Sequence, residues 1–191
     1  MLIETRGHPE GECNICGEWH RLTEDHIPPK GSIRISQVEM RHIVTHLGAE
    51  SAIGKARISQ NGVKYRTLCG RCNSGLLGTL YDPALIEFTN AVGNFLKTQI
   101  KLPPVINIPA KPQLVIRSVL GHMAAVGVDR YLKGAHTEEF KELFLDESLP
   151  IREWVRVYYW PYPFNRQILI RDCALTDVRV REPVVICLMK F

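Results

Sequence analysis

The clearest helical pattern along the chain lies between residues 82 and 132. Pro83 suits the first position of a helix because proline has no amide hydrogen to lose there, and Asp82 would cap the exposed amides. Apolar residues then recur on one face, at Leu85, Phe88, Val92, Phe95 and Leu96. After a proline-rich linker, residues 113–132 repeat the pattern with Ile116, Val119, Leu120, Met123 and Val126. We therefore predict two long amphipathic helices that bury these stripes.

Three shorter segments carry weaker helical patterns. Residues 36–47 place apolar side chains at roughly helical spacing, and residues 137–145 form a second candidate that opens with Thr137. A third helix would begin at the second cysteine pair and end near Gly75 or Gly78, because glycine weakens a helix. We predict a short helix at each place.

Strand patterns occur near the end of the chain and around one asparagine–glycine pair. Residues 154–160, 166–172 and 183–189 are rich in β-branched and aromatic residues, which predicts a small antiparallel sheet. Asn61-Gly62 lies between two short β-like runs and favours the positive φ angles of a hairpin turn. Together with the helices, these strands predict an α+β fold.

Composition excludes several classes of protein. Hydrophobic residues make up 45% and charged residues 23% of the 191 residues, as in ordinary globular chains rather than disordered or collagen-like ones. No apolar stretch approaches the roughly 18 residues of a membrane span and no secretory leader is visible, so we expect a cytoplasmic protein with no membrane partner. The net charge of +4 is compatible with nucleic-acid binding but does not by itself indicate it.

Four of the six cysteines form two pairs with the spacing of zinc ligands. Cys13 and Cys16 are one C-x-x-C pair and Cys69 and Cys72 are the other, a spacing at which a tight turn directs two thiolates at one tetrahedral ion. Without a secretory leader, such pairs bind metal or act in redox chemistry more often than they form disulfides. We predict one structural Zn²⁺ on all four, with two unrelated redox or incidental pairs as the alternative.

The remaining two cysteines have different surroundings. Cys173 and Cys187 both lie in apolar runs. We predict that they are buried, inert thiols.

Between the two cysteine pairs lies the dipeptide Asp25-His26, and the second pair is followed at once by Asn73. An acidic residue beside a histidine is common and on its own predicts only a satisfied hydrogen bond. The order C-x-x-C, Asp-His, C-x-x-C-Asn, however, resembles the HNH endonuclease family, whose ββα-metal motif is carried on a zinc-bound treble-clef frame. The resemblance covers about residues 13–75.

The resemblance implies both an organisation and a chemistry. Residues 1–80 would form the HNH module, and residues 81–191 would form an α+β extension for self-association or for contact with substrate or a partner. Asp25 and Asn73 would bind one Mg²⁺ or Mn²⁺ through oxygen, and His26 would be the general base that activates water for phosphodiester hydrolysis. An unperturbed histidine pKa of about 6.5 makes neutral imidazole available at cellular pH.

The resemblance also implies a class of substrate and a setting. Double-stranded DNA is the favoured substrate, although the residues alone do not separate DNA from RNA. A nuclease of this size would serve in restriction or phage defence, restrained by a second copy or by a regulatory partner protein.

One departure from the family concerns its middle asparagine. That residue usually lies shortly before the second C-x-x-C, where this chain has residues 63–68 without an asparagine. The nearest candidate, Asn61, is already explained by the predicted turn. The alternative function is therefore a catalytically inactive, zinc-stabilised module that binds nucleic acid or protein.

Several further residues are candidates for contact with substrate or metal. Lys30, Lys64, Arg66 and Arg71 are the basic residues nearest to the motif, and they would contact backbone phosphates unless they are ordinary surface charges. The aromatic residues between 154 and 164 would stack on bases or, more commonly for strand residues, pack in a core. For His42 and His46, spaced i, i+4, we favour solvent exposure or partner contact over a shared metal.

Overall fold

The computed structural model describes residues 5–32, 37–42, 57–60, 62–98, 101, 103–128, 137–153, 155, 158, 167–175 and 184–190. These residues form a mixed α+β structure, which confirms the predicted class. The chain divides into two compact units. The knuckle unit consists of Thr5–Arg34 and Lys64–Tyr158, and the sheet unit consists of Met1–Glu4, Ile35–Val63 and Tyr159–Phe191.

The secondary structure follows a simple order. The strands are β1 (Glu10–Glu12), β2 (Trp19–Ile27), β3 (Gln37–His42), β4 (Arg57–Gln60), β5 (Val63–Cys69), β6 (Gln167–Leu175) and β7 (Val184–Lys190). The helices are α1 (Arg71–Tyr81), which has the wider π-helical winding, α2 (Asp82–Thr98), α3 (Pro112–Ala125) and α4 (Thr137–Leu145).

The knuckle unit is built on a three-stranded sheet in the order β1-β2-β5. β1 and β2 pair antiparallel, with Glu10 opposite Arg21. β5 alternates in its first residues: Val63 and Tyr65 are buried, whereas Lys64 is exposed. This period of two places polar and apolar side chains on opposite faces of the sheet.

Two predictions about where the helices begin and end are wrong. α1 does not stop at Gly75 or Gly78 but runs directly into α2. Asp82 is therefore not an N-cap; it has helical backbone angles (φ −60°, ψ −36°), and its carboxylate is hydrogen-bonded to Ser118 on α3. A helix that is already continuous leaves no exposed amides at Asp82 for the side chain to cap.

The predictions of α3 and α4 are confirmed with one change of length. α3 and α4 lie where the sequence predicts them, and α4 begins at Thr137. α3 ends at Ala125 instead of continuing to residue 132. Its end is set by Val126, which has extended backbone angles, and by Gly127, which has a φ of 111°.

Helix α3 buries a different face from the predicted one. Its buried residues are Arg117, Ser118, Gly121, His122, Ala124 and Ala125, whereas most of the predicted apolar stripe is only half-buried. A β-carbon at Gly121 would lie 2.6 Å from Leu77 on α1 and 2.6 Å from Phe144 on α4. The absence of that atom lets α3 pack closely against both helices, and the polar residues of this face find hydrogen-bond partners there.

The core beneath α3 combines aromatic packing with one buried hydroxyl bond. The rings of Tyr81 and Phe144 meet edge to face, with centroids 5.2 Å apart. The Tyr81 hydroxyl donates a hydrogen bond to the main-chain carbonyl of Phe144 at 2.6 Å. α1 and α4 are thereby joined by both an apolar contact and a polar one.

The sheet unit contains four strands in the order β4-β3-β6-β7. β6 and β7 pair antiparallel, which confirms two of the three predicted C-terminal strands, and β3 pairs parallel with β6. Residues 37–42 are thus a strand, and the prediction of a helix over 36–47 is wrong for these six residues. Pairing with β6, which is distant in sequence, overrides a local helical spacing that was weak.

The predicted hairpin at Asn61-Gly62 is wrong in its pairing. Gly62 has the expected positive φ of 87°, and strands flank it on both sides. β4, however, pairs with β3, and β5 pairs with β2.

Four remaining predictions lie wholly or partly outside the described residues. Of the strand predicted over 154–160, only residues 155 and 158 are described, and neither is in a strand. Asn61, His46 and the side chain of His42 lie outside the described part. The same holds for the side chains of Cys173 and Cys187, which stand on β6 and β7.

The predicted boundary between residues 80 and 81 falls inside the knuckle unit, one residue before α2 begins. The division into two functional parts stays a prediction. Among the described helices, none combines the length and the apolar character needed to cross a membrane.

Candidate functional site

The four predicted zinc ligands lie together. Cys13, Cys16, Cys69 and Cys72 are buried free cysteines whose sulfur atoms all lie within 4.8 Å of one another. The Sγ atoms of Cys16 and Cys69 are 3.9 Å apart. Two thiolates bound to a tetrahedral zinc at about 2.3 Å would be separated by roughly 3.8 Å. The cluster is therefore geometrically suited to one structural zinc ion.

Local backbone geometry places the first pair of sulfurs. Gly17 has a φ of 72°, which favours glycine, and its amide donates to the carbonyl of Cys13 at 2.8 Å. The amide of Cys13 in turn donates to the carbonyl of Glu18 at 2.9 Å. This turn follows β1, whereas the second pair lies where β5 ends and α1 begins. Two local turns thus bring the four sulfur atoms together.

The thiols also suit a cation on electrostatic grounds. Hydrogen bonds from Cys69 and Cys72 lower the pKa of Cys13. Burial raises the pKa of Cys16, and the hydrogen bond to Cys13 raises the pKa of Cys72. The cluster by itself accommodates one thiolate and resists further ones. A divalent cation would offset this repulsion and favour deprotonation of all four sulfurs.

Asp25 and His26 stand on opposite faces of β2, as neighbours on an extended strand must. Asp25 is buried, whereas His26 is half-buried. The strand ends at Ile27, directly before Pro28. Solvent can therefore approach the imidazole, while the carboxylate points into the knuckle unit.

Asn73 joins the start of α1 to β2. Its Nδ2 donates to Thr23 Oγ1 at 2.9 Å and to the main-chain carbonyl of Glu24 at 3.1 Å. Thr23 Oγ1 donates onward to the carbonyl of Leu68 on β5 at 2.9 Å. These bonds join α1 and β5 to β2 at Thr23 and Glu24, the two residues that precede Asp25. In the part of the chain that the structure describes, Asp25 and Asn73 share no hydrogen bond.

The surroundings of His26 favour a neutral imidazole. Burial lowers the pKa of His26, and the positive charges of Lys30 and Lys64 lower it further. Asp25 and Glu24 oppose this change less strongly. Both lysines are exposed. The accessible side of His26 therefore combines a proton acceptor with two cations that can attract a phosphate.

Asp25 belongs to a buried polar chain that the sequence did not reveal. His122 on α3 places Nδ1 at 2.8 Å from Asp25 Oδ2 and Nε2 at 3.0 Å from Asp82 Oδ1. Ser118 Oγ donates to the same Asp82 oxygen at 2.7 Å. The buried histidine thus bridges two carboxylates from β2 and α2. We call these four residues the Asp25–His122 chain.

The ionisable groups of the Asp25–His122 chain shift one another's pKa values. Burial alone would lower the pKa of His122, but its hydrogen bonds to Asp25 and Asp82 outweigh burial and raise that pKa to about 9. Burial raises the pKa of Asp25, and the hydrogen bond from His122 opposes that rise. The imidazole is accordingly charged at neutral pH, and the Asp25–His122 chain pairs this buried cation with two carboxylates.

The predicted phosphate contacts differ in their surroundings. Lys30, Lys64 and Arg71 are exposed. Arg66 is 3.5 Å from Glu24 Oε1, an oxygen that also contacts Arg6 at 3.1 Å. Its charge is partly balanced within the protein. Of the aromatic residues proposed to stack on bases, Tyr158 is described and is exposed.

Comparison with known proteins gives no relative: no family model, no curated protein and no solved structure matches the chain.

Proposed function

We propose that the protein is an HNH-type endonuclease that hydrolyses phosphodiester bonds, with double-stranded DNA as its substrate. The observation that supports this most is the pair of hydrogen bonds from Asn73 to Thr23 and Glu24. They fix the helix that follows the second cysteine pair against the strand that carries Asp25 and His26. A strand–strand–helix arrangement beside a zinc cluster is what the HNH resemblance implies, and we assign this region the treble-clef ββα frame.

The proposed active site binds one Mg²⁺ or Mn²⁺ through Asp25 and Asn73. The donor set fits, because carboxylate and amide oxygens are the hard ligands that these ions prefer. Both hydrogens of Asn73 Nδ2 are directed at β2, which leaves its Oδ1 on the other side of the amide as an acceptor. When bound, the cation would stabilise negative charge on the scissile phosphate.

His26 acts as the general base in this proposal. Its lowered pKa keeps the imidazole neutral at cellular pH, so it can accept a proton from the attacking water. Lys30 and Lys64 would hold the phosphate backbone near that imidazole, because both lie close enough to shift its pKa. A second copy of the chain or a partner protein would restrain the activity, in restriction or phage defence.

One observation favours the inactive binding module as a second candidate. Asp25 is buried, and one of its oxygens is already hydrogen-bonded to His122. A carboxylate held in this way can serve a purely structural ion pair, and the chain lacks the middle asparagine of the family. In that case the zinc cluster and the exposed lysines would serve binding alone.

Incubation of zinc-loaded protein with supercoiled plasmid and Mg²⁺ separates the two functions. We expect nicked or linear product that requires Mg²⁺ and is lost in His26→Ala, while plasmid binding survives. His20→Ala is the matched control, since His20 is an exposed histidine on the same strand that is hydrogen-bonded to Glu18 at 3.1 Å. Its ring also lies within 4.8 Å of the Cys16 sulfur, so the zinc content of this variant is measured as well. Binding without cleavage by the parent protein would support the inactive module. Equal cleavage by His26→Ala would remove His26 from the mechanism.

A further inference from the structure

We infer that His122 is a positioning residue for the divalent cation: it holds one oxygen of Asp25 so that the other is oriented towards the ion. The inference rests on the proposed function, because it assumes that Asp25 is a cation ligand. It adds a residue from α3, in the part of the chain that the HNH resemblance does not cover.

The geometry fixes the imidazole at both nitrogens. Nδ1 is 2.8 Å from Asp25 Oδ2 and Nε2 is 3.0 Å from Asp82 Oδ1. The side chain is 1% exposed. A ring that bonds through both nitrogens in a packed site is held against rotation, and its bond to Oδ2 restrains the Asp25 carboxylate.

Asp82 is held in place as well. Ser118 lies one helical turn before His122 on α3 and donates to Asp82 Oδ1 at 2.7 Å. The Asp25–His122 chain thus runs from the helices α2 and α3 to the end of β2, where Asp25 precedes His26. The position of Asp25 depends on three elements rather than on its own strand alone.

Burial of these groups is costly for a role in stability alone. An ion pair taken out of water loses much of its gain to desolvation, and apolar side chains of similar volume often stabilise a core at least as well. A histidine that orients a ligating carboxylate, in contrast, has a direct use, because groups behind the ligands of a metal tune its affinity by about 10- to 100-fold.

Two substitutions at His122 separate positioning from stability. The amide nitrogen of asparagine lies near the place of Nδ1, so His122→Asn keeps a donor for Asp25 and loses the bond to Asp82. The longer glutamine places its amide nitrogen near Nε2, so His122→Gln keeps the bond to Asp82 and loses the one to Asp25. Each variant removes one of the two carboxylate contacts, and both should lower the stability of the protein similarly.

Binding of Mn²⁺ to zinc-loaded protein, followed by electron paramagnetic resonance of the free ion, tests the inference without any measurement of cleavage. The Mn²⁺ binding that is lost in Asp25→Asn is assigned to the proposed cation site. We expect His122→Gln to weaken this binding by about 10- to 100-fold, whereas His122→Asn stays close to the parent protein. Thermal unfolding of both variants provides the comparison of stability.

The possible failures are distinct. If the parent protein shows Asp25-dependent binding and both variants bind Mn²⁺ as it does, His122 is a structural residue and the inference is wrong. The inference is also wrong if both variants lose Mn²⁺ affinity to the same extent and in proportion to their loss of thermal stability. If the parent shows no Asp25-dependent binding, the proposed cation site itself fails, and the inference fails with it.

If the His122 variants do not fold, a measurement on the unaltered protein tests the inference instead. Zinc-loaded protein labelled with ¹⁵N is titrated with Mg²⁺, and the imidazole nitrogens of His122 are followed by NMR. We expect a saturable shift of the Nδ1 resonance with the same midpoint as the amide signals of Asp25 and Asn73. Saturation of those amide signals with no change at His122 would overturn the inference.

Discussion

Asn14 donates a hydrogen bond from Nδ2 to the main-chain carbonyl of Gly127, 113 residues later, at 2.8 Å. The same amide donates to the carbonyl of Ala124 at 2.9 Å, and Thr67 Oγ1 donates to that of Ala125 at 2.7 Å. Carbonyls at the end of a helix have no partner within the helix itself. Asn14, which lies between Cys13 and Cys16, and Thr67 on β5 therefore cap α3, the helix that carries His122.

We expect Asn14→Ala to destabilise the protein by about 1–3 kcal/mol, because it leaves buried carbonyls without a donor. Asn90→Ala is the matched control. Asn90 makes the same kind of bond, from Nδ2 to the carbonyl of Gly31 at 3.2 Å, but on an exposed side chain. Its loss should change stability by less than about 0.5 kcal/mol. Urea unfolding of zinc-loaded proteins measures both, and equal losses would contradict the capping role of Asn14.

Removal of zinc should affect more than the cysteine loops. Structural zinc contributes roughly 10–16 kcal/mol in small zinc peptides, which is as large as the whole stability of an ordinary domain. We expect one zinc per chain by elemental analysis and loss of the cooperative unfolding transition after chelation. Protein without zinc, or a Cys13→Ser/Cys69→Ser variant with unchanged unfolding, would contradict the prediction. Cys173→Ser tests the cysteines outside the cluster and should leave the zinc content unchanged.

The sequence carries enough information to predict features that depend on neighbouring residues. The cluster of four cysteines follows from two C-x-x-C turns, and α2 to α4 follow from the spacing of their apolar residues, with Thr137 at the start of α4. Pairing between distant segments carries no such local signal. For this reason the local pattern favours a helix over residues 36–47 although β3 pairs with β6, and it favours a cap at Asp82 although the partner Ser118 is 36 residues away.

The role of His122 is not predictable from the apolar pattern, for a related physical reason. Hydrophobic periodicity identifies the apolar stripe of a helix as its buried face, but α3 buries a face of small and polar residues. Polar side chains can be buried when each has a partner, and the partner Asp25 is 97 residues away. One signal was present: Ser118 and His122 are spaced i, i+4 on an otherwise apolar helix, which places both on one face.

Gly121 should tolerate no side chain. A β-carbon there would lie 2.6 Å from atoms of Leu77 and Phe144, both fully packed, so we expect Gly121→Ala to cost about 1–3 kcal/mol through overpacking. Gly93→Ala on α2 is the control, because nothing lies within 4 Å of its added atom. Alanine should there be neutral or stabilise the helix by about 0.5–1 kcal/mol. Chemical unfolding distinguishes the two, and a stable Gly121→Ala variant would contradict the close packing of α3.

Stability should fall with rising pH because of His122. Its pKa is raised from 6.5 to about 9 on folding, so between these values the folded protein holds a proton that the unfolded chain has lost. The stabilisation is fully present below pH 6.5 and is lost as the pH rises to about 9, at roughly 1.4 kcal/mol per pH unit. His122→Gln should remove this slope. We would measure urea unfolding of the zinc-loaded parent and variant between pH 6.5 and 9. Parallel curves for the two proteins would show that another group causes the dependence.

Lys64 and Arg66 stand two residues apart on β5 but should contribute differently to binding of DNA. Lys64 is exposed and acts on His26, whereas Arg66 lies 3.5 Å from Glu24 and has a partly balanced charge. Each phosphate that a basic side chain neutralises steepens the fall of log affinity with log salt by about 0.9 for duplex DNA. We expect Lys64→Ala to reduce the slope by nearly that amount and Arg66→Ala to reduce it less. Fluorescence anisotropy of a labelled duplex, with zinc-loaded protein and no Mg²⁺, measures both slopes. An unchanged slope in Lys64→Ala would make Lys64 an ordinary surface charge, and the phosphate contact would then be sought at Lys30 and Arg71.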